Sequence, residues 1–446
     1  MSQLVDHRGT PIYPGIQRMD YKRDLYKVAG LPPELDFTHF YSLFRRSGFA
    51  RSAIMRPAKI CWSTAPKIYD FSGDGEAEAQ DTAFERAVKV LFDKHNLLNV
   101  LYSLDYRQSV GRYGGVILIG KEAGSATSKD ALRVNGINNL VALRPVYEGQ
   151  IRGNETEDDI QSIHFGNPKT YSFLPNEAST STKSVKGSTT LHRSRVYVYA
   201  EGADDGSIYG TPRLECVFNA IMNLFKIQVA ASEGFFKNAR QRLHVDIRDE
   251  TTAKQMMAQF TADKYSGGFR GAMNKFAAGW DAEFFTAGMD VKTLQTILSD
   301  PTGAANLCLQ EIAAGLDIPK TILTGFETGE RSSQENMKGW LDGLNSRREN
   351  DCTPMLKGML NHLIEVGVLP EPKNDISVTW DDLNASSDTQ KLELSKLMTD
   401  INKASIDAGM GEVFTPEEIR KSAGYEVNSE FGLDFDDRED GEGGGE

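Results

Sequence analysis

The order of elements between residues 306 and 366 leaves few choices for how this chain can fold. NLCLQEIAAGL reads as an amphipathic helix and runs into DIPKTILTG, where Pro319 cannot continue a helical hydrogen-bond ladder. A short polar run, FETGERSSQEN, follows, and then a second long helical stretch, MKGWLDGLNSRRENDCTPMLKGMLNHLIEVGVL. Helix, proline corner, polar loop and long helix form a packing device. None of these residues is arranged as a nucleophile, a metal cage or a phosphate cradle.

With 446 residues the chain can bury substantial apolar surface and is expected to split into several subregions. No apolar run approaches the roughly 20 residues that cross a bilayer, so no membrane is expected. The N-terminus, MSQLVDHRGTPIYPG, lacks the charged and apolar segments of a secretory signal, so the expected site of synthesis and assembly is the cytosol. Cys61, Cys216, Cys308 and Cys352 lie far apart without a C-x-x-C pair, which fits reduced, separate thiols.

Charge is unevenly spread. Residues 425–446 hold nine acids and one arginine, a net of −8 within a total of −13. This Gly-rich acidic tail reads as disordered. Residues 236–280 show the reverse pattern. Eight basic residues (Lys237, Arg240, Arg242, Arg248, Lys254, Lys264, Arg270 and Lys275) face only four acids there.

Periodicity divides the rest. Residues 1–35, rich in Pro, Gly and charge, read as a loosely packed arm. An aromatic-rich helix is expected from Phe37 to Met55, ended by Pro57. A hinge at 73–79 precedes a helix from Phe84 to Asp105. Short β-type runs follow at 116–119, 140–143, 162–165, 171–174 and 196–199, with a mobile surface loop at 176–190. A helix is expected from Leu214 to about Lys237, with Pro212 in its first turn. LHVDIR then reads as a strand, TAKQMMAQFTADKY as a helix, and DAEFFTAGMDV as a second strand and turn. The next helix starts near Ala304. ISVTWDDL is a strand, and residues 386–409 are a helix closed by glycine. Thr415-Pro416-Glu417-Glu418 is a helix start: an N-cap, a proline in the first turn and acids at the positive end of the dipole.

Catalytic, cofactor-binding and metal-binding residues are not evident. The histidines at 7, 39, 95, 164, 192, 244 and 362 form no ligand pair at helix or strand spacing. Arg112-Tyr113-Gly114-Gly115 is followed by no Gly-Lys-Ser/Thr, which argues against a phosphate loop. Asp434 and Asp436 sit in the acidic tail, where a solubilising role is the simpler reading.

Ile312, Ala313, Ile318 and Pro319 form an I-A-x-x-x-x-I-P corner, followed by Leu323 and Gly325, a polar loop and a long amphipathic helix. This order resembles the portal proteins of tailed bacteriophages, and the looser similarity runs from about residue 35 to about residue 425. Arg112-Tyr113-Gly114-Gly115 before an apolar strand is similar to one subgroup of that family. The resemblance implies an α+β portal fold with a mixed α/β wing, a two-helix stem, a small α/β clip, a long channel-lining helix and a helical crown. Mapped onto the chain, 1–35 is the N-terminal arm, 36–211 the wing, 212–240 the first stem helix and 241–291 the clip. The second stem helix is 292–318 and the tunnel-loop region 319–336. The long helix and wing return strand span 337–385, the crown 386–425 and the tail 426–446.

The resemblance further implies a homo-oligomeric ring of roughly twelve copies at one capsid vertex, assembled in the host cytoplasm. Double-stranded DNA would be packaged and ejected through it. Terminase, a head-tail adaptor and the major capsid or scaffold protein would be its partners. The tunnel-loop and channel residues would be Glu327, Glu330, Arg331, Glu335 and Lys338. The basic residues of 236–280 would form the clip surface. Two other readings stay open at this stage. A metal-dependent nuclease would need clustered carboxylates, which the sequence does not show, and a non-channel neck or scaffold protein would need only protein contacts.

Overall fold

Capping groups cut the N-terminal third of the chain into short helices. The computed structural model describes residues 25–71, 80–121, 127–162, 164–175, 188–203, 207–239, 242–247, 251, 254, 289–294, 300–325, 330–384 and 388–425. The expected hinge at 73–79, most of the loop at 176–190 and the acidic tail lie outside these residues. After α1 (Leu25–Ala29), the Asp36 carboxylate accepts from the His39 amide at 3.0 Å and opens α2 (Phe37–Arg46). The single helix expected over 37–55 is broken at Ser47, whose hydroxyl accepts from the Ala50 amide and starts α3 (Gly48–Cys61). Pro57 does not end α3 but lies buried inside it. Ala53, Ile54, Ala58 and Cys61 are buried along the same helix, and that packing outweighs one missing donor.

Strand β1 (Lys67–Asp70) leads to a capping box in which Thr82 and Glu85 open α4 (Ala83–His95). The helix expected over 84–105 is likewise two helices. Asn96 turns left-handed with φ 49°, which Asn tolerates, and α5 (Leu97–Val110) begins anew.

The β region comprises β2 (Gly114–Gly120), β3 (Leu140–Tyr147), β4 (Ile151–Thr156), β5 (Pro168–Phe173), β6 (Thr189–His192) and β7 (Val196–Tyr199). Two antiparallel sheets result, ordered β3-β2-β7 and β4-β5-β6. The strand expected at 162–165 is a turn instead, in which the Phe165 amide donates to the Ser162 carbonyl. The strand of this region is β4, whose sequence IRGNET lacks apolar alternation after its first residue. Tyr113, Ile117, Val146, Ile151, Tyr171, Leu191 and Val196 form a buried cluster shared by the sheets. The Tyr113 hydroxyl donates to the Ile151 carbonyl at 2.8 Å.

The Arg-Tyr-Gly-Gly segment proves to be a joint. A Cβ on Gly114 would stand 2.8 Å from the Gln108 backbone nitrogen, so glycine permits the close approach of β2 to α5. Arg112 is committed to Glu148. Its backbone amide donates to Oε2 at 2.7 Å, and Nε and Nη2 donate to Oε1 at 2.9 and 2.7 Å.

Helix α6 (Phe218–Ala239) starts six residues after Pro212, because 213–217 are turns. Strands β8 (Arg242–Ile247) and β9 (Met289–Leu294) pair antiparallel, from Arg242 opposite Leu294 to Ile247 opposite Met289. Residues 292–294 therefore belong to a strand, and the helix expected from 292 begins only at α7 (Thr302–Leu316), just after Pro301. Helices α8 (Lys320–Thr324) and α9 (Glu330–Arg347) follow. A π-helical turn (Arg348–Cys352) runs without interruption into α10 (Thr353–Glu365). Strand β10 (Ile376–Thr379) pairs antiparallel with β1, and the buried Asp70 carboxylate accepts from the amides of Lys373 and Asn374.

These elements make up one compact unit, Met1–Trp380. A second, Asp381–Glu446, contains α11 (Asp388–Asp407) and α12 (Pro416–Ser422). Within it Asn402 is buried and fixes the connecting turn. Its Oδ1 accepts from the amides of Val413 and Phe414 and its Nδ2 donates to the Phe414 carbonyl. The Thr415–Glu418 capping box forms as expected. Helices and antiparallel sheets together give the expected α+β class.

Candidate channel helix and its anchorage

The proline corner positions the start of the long helix. Ile312, Leu316, Ile318 and Leu323 are all buried, so α7, the corner and α8 are pinned by four apolar side chains. Asp317 takes a left-handed conformation (φ 52°) that turns the chain, and Pro319 caps α8. Gly315 lets α7 lie close to the residues that precede α6, where a Cβ would meet Val217 Cγ1 at 2.6 Å.

From Glu330 to Glu365 the helix is continuous, about 54 Å long at 1.5 Å per residue. Trp340, Leu344, Arg348, Cys352, Leu356 and Leu360 are all buried, each four residues from the last. In an α-helix such a stripe drifts about 40° per turn. The wider π turn takes up part of that drift and keeps the middle of the stripe facing inward.

Two consecutive arginines are buried at this point. Arg348, 1% exposed, donates from Nε to the Cys61 carbonyl at 2.9 Å and from Nη2 to the Ile60 carbonyl and Thr64 Oγ1. It thereby satisfies the C-terminal end of α3, where helix carbonyls lack intrahelical donors. Its guanidinium also lies 5.0 Å from the centre of the Trp380 ring. Arg347 turns the other way. Its Nη2 donates to Asp105 Oδ1 at 2.5 Å and to Glu201 Oε2 at 2.8 Å, and its Nη1 donates to Asp105 Oδ2 at 3.0 Å. Trp62 Nε1 donates to the same Asp105, and Gln108 Nε2 bridges Asp105 and Glu201. Burial opposes ionisation of Glu201, but the charge and hydrogen bond of Arg347 outweigh it and hold the carboxyl down at about 2. Burial equally opposes the charge of Arg347, and Asp105 and Glu201 overcome it.

The widened turn draws donors from outside the helix. Tyr199 donates to the Asp351 carbonyl and Tyr197 to the Met355 carbonyl, both at 2.9 Å. Thr353 Oγ1 donates to the Arg348 carbonyl and accepts from Trp380 Nε1. Carbonyls tilted out of the α ladder thus find partners.

The sequence-derived channel residues fall around the N-terminal half of this helix. The tunnel-loop region expected over 319–336 contains α8 and is helical again from Glu330 onward, since SSQEN offers helix-compatible residues and no proline. Glu330 and Arg331 lie in the first turn of α9, Glu335 and Lys338 are exposed on it, and Glu327 lies outside the described residues. Of the clip residues, Lys237 is on α6, Arg242 opens β8, and Lys254 is helical and exposed. Arg240, Arg248, Lys264, Arg270 and Lys275 lie outside the described residues. The sequence reading overlooked Arg347, Arg348, Asp105 and Glu201. Its available signal was the four-residue cadence of large side chains through an Arg-Arg pair. Among the described residues no group of three or more His, Cys, Asp or Glu is placed to hold a metal ion, and no helix is long and apolar enough to cross a membrane.

Comparison with known families covers this whole arrangement. The phage portal protein family matches residues 39–404, and the chain belongs to that family. Solved structures of similar shape include a chain described as "Virion of native gene transfer agent (GTA) particle", at 10% identity and TM-score 0.48, covering 89% of this chain and 95% of that one. A second, "Neck of native GTA particle computed with C12 symmetry", has 11% identity and TM-score 0.46 over 91% and 98% of the two chains. A third, "Neck of empty GTA particle computed with C6 symmetry", has 12% identity and TM-score 0.47 over 92% and 100%. No curated protein matches the chain.

Proposed function

We propose that copies of this chain close into a ring of roughly twelve subunits at one vertex of the virion, and that double-stranded DNA is packaged and ejected along its axis. Family membership supports this reading. The structural observation that carries it is the helix from Glu330 to Glu365, clamped at mid-length by Arg347 and Arg348. Its N-terminal half is left polar and exposed at Glu335, Lys338 and Asp342. Acids and bases alternate there. A bore lined this way neutralises few phosphates, and weak counterion-release affinity suits a duplex that must slide.

In this reading Glu327, Glu330, Arg331, Glu335 and Lys338 face the duplex. Helices α6 (Phe218–Ala239) and α7 (Thr302–Leu316) serve as the stem. The basic residues of 236–280 offer a clip surface to an acidic face of a terminase or head-tail adaptor, and 386–425 form the crown. The chain does no chemistry of its own, and a separate motor hydrolyses nucleotide. Mass measurement and negative-stain imaging of the purified chain test this. Closed rings with a central hole that admits duplex DNA are expected. Monomers or open filaments at every concentration and salt would overturn the channel, and metal-dependent DNA cleavage would favour a nuclease.

A further inference from the structure

The second unit has two apolar faces on opposite sides of one helix. On α11, Leu394, Leu397 and Ile401 recur at three- and four-residue spacing, which places them on one side, and they are 51%, 58% and 45% exposed. Glu393 and Asp400 flank this stripe along one edge. About half a turn around the helix, Ile406 joins Pro416 and Ile419 of α12 in lining an open groove of about 440 Å³. Lys403 and Arg420 line the groove too, as do Asp407 and Glu412.

The charges on the two faces are matched in height. Helix α12 runs back along α11, since Asn402 holds Val413 and Phe414 while Gly424 lies beside the Lys391 side chain. On that register Arg420 stands level with the stretch of α11 between Glu393 and Thr399, Lys403 lies just under one turn beyond Asp400, and the groove's own acids, Asp407 and Glu412, sit nearer the C-terminal end of α11. Glu393, Asp400, Lys403 and Arg420 have no side-chain partner among the described residues.

We infer that the Leu394–Leu397–Ile401 stripe of one copy seats in the Ile406–Pro416–Ile419 groove of the next copy of this chain, with Glu393 and Asp400 meeting Lys403 and Arg420. A surface that meets a different surface of an identical neighbour is a heterologous contact, and repeated by rotation it closes a ring. With α11 running along the ring axis, as the inference requires, equal heights of neighbouring copies meet and the acidic edge reaches the basic groove wall. A self-complementary pairing of the leucine stripes would instead put Glu393 and Asp400 against their own equivalents. The inference rests on the ring reading above and adds the pair of faces that builds the contact.

Full-length protein with Cys216→Ser and Cys308→Ser serves as background, because Cys61 and Cys352 are buried. Leu397→Cys and Ile419→Cys, which the register places at similar heights, are added singly and together and treated with a short bis-maleimide. The double variant should give a ladder of linked subunits up to the full ring, and each single variant should give none. Rings without a ladder, or linked dimers from Leu397→Cys alone, would overturn the inference and leave the ring reading standing. A parent chain that never forms rings would overturn both. Separately, Glu393→Lys with Asp400→Lys should lower the ring fraction at least about tenfold at low salt. Lys403→Glu with Arg420→Glu should do the same, and all four together should restore it. Failure of that rescue would refute the charge pairing.

Discussion

Arg347 grips Asp105 with two hydrogen bonds, at 2.5 and 3.0 Å, across 242 residues of sequence. Together with Glu201 on the third side, this fastens the long helix to α5 and to the end of β7. Removing one member of such a buried cluster strands the others. Arg347→Ala is expected to cost about 3–5 kcal/mol of unfolding free energy, seen as a lower denaturant midpoint. Arg347→Lys recovers only part, because an ammonium cannot reproduce the fork.

Acid should loosen the same joint. Glu201 titrates in the folded protein at about 2, below its ordinary 4.5. A depressed carboxylate stabilises the fold fully above the ordinary value, and the contribution is lost as pH falls from there toward about 2. It amounts to roughly 3 kcal/mol at most. Melting temperature followed from pH 7 downward should fall below about pH 4.5, and Glu201→Gln should be less stable at neutral pH and less acid-sensitive.

The two glycines of the Arg-Tyr-Gly-Gly joint should differ in tolerance. A Cβ on Gly114 meets the Gln108 backbone at 2.8 Å, whereas one on Gly115 meets the Ile151 Cδ1 at 2.5 Å. A side-chain tip can rotate away and a helix backbone cannot. Gly114→Ala is expected to cost about 1–3 kcal/mol and Gly115→Ala less, by chemical denaturation of both.

Sequence reading succeeded where a residue acts on its neighbours. Thr415 and Glu418 cap a helix within one turn, the Ile318-Pro319 corner breaks one, and Val116 to Ile119 announce a strand. It failed where distant packing decided. Pro57 sits inside a helix because its neighbours are buried, and Asn96 divides a helix that periodicity alone carries through. The candidate site shows the same division. Glu335 and Lys338 were legible as polar positions beside a long helix. The clamp was not, because nothing near Arg347 and Arg348 in sequence marks them for burial, and their partners Asp105, Glu201 and the end of α3 arrive from far away in the chain.

Tyr199→Phe should remove the donor to the Asp351 carbonyl while keeping the ring in place. A loss of about 1 kcal/mol is expected, together with faster amide exchange confined to 348–356, measured by hydrogen–deuterium exchange.

The π turn also separates what the two halves of the rod must satisfy. With one residue more than an α turn needs, the π turn sets the angle at which residues 330–347, held by Trp340, Leu344 and Arg347, meet residues 353–365 on the strands. A single-residue deletion within 348–352 would restore an unbroken α register, rotate the front half by about 100° and pull Arg347 and Trp340 out of their sites.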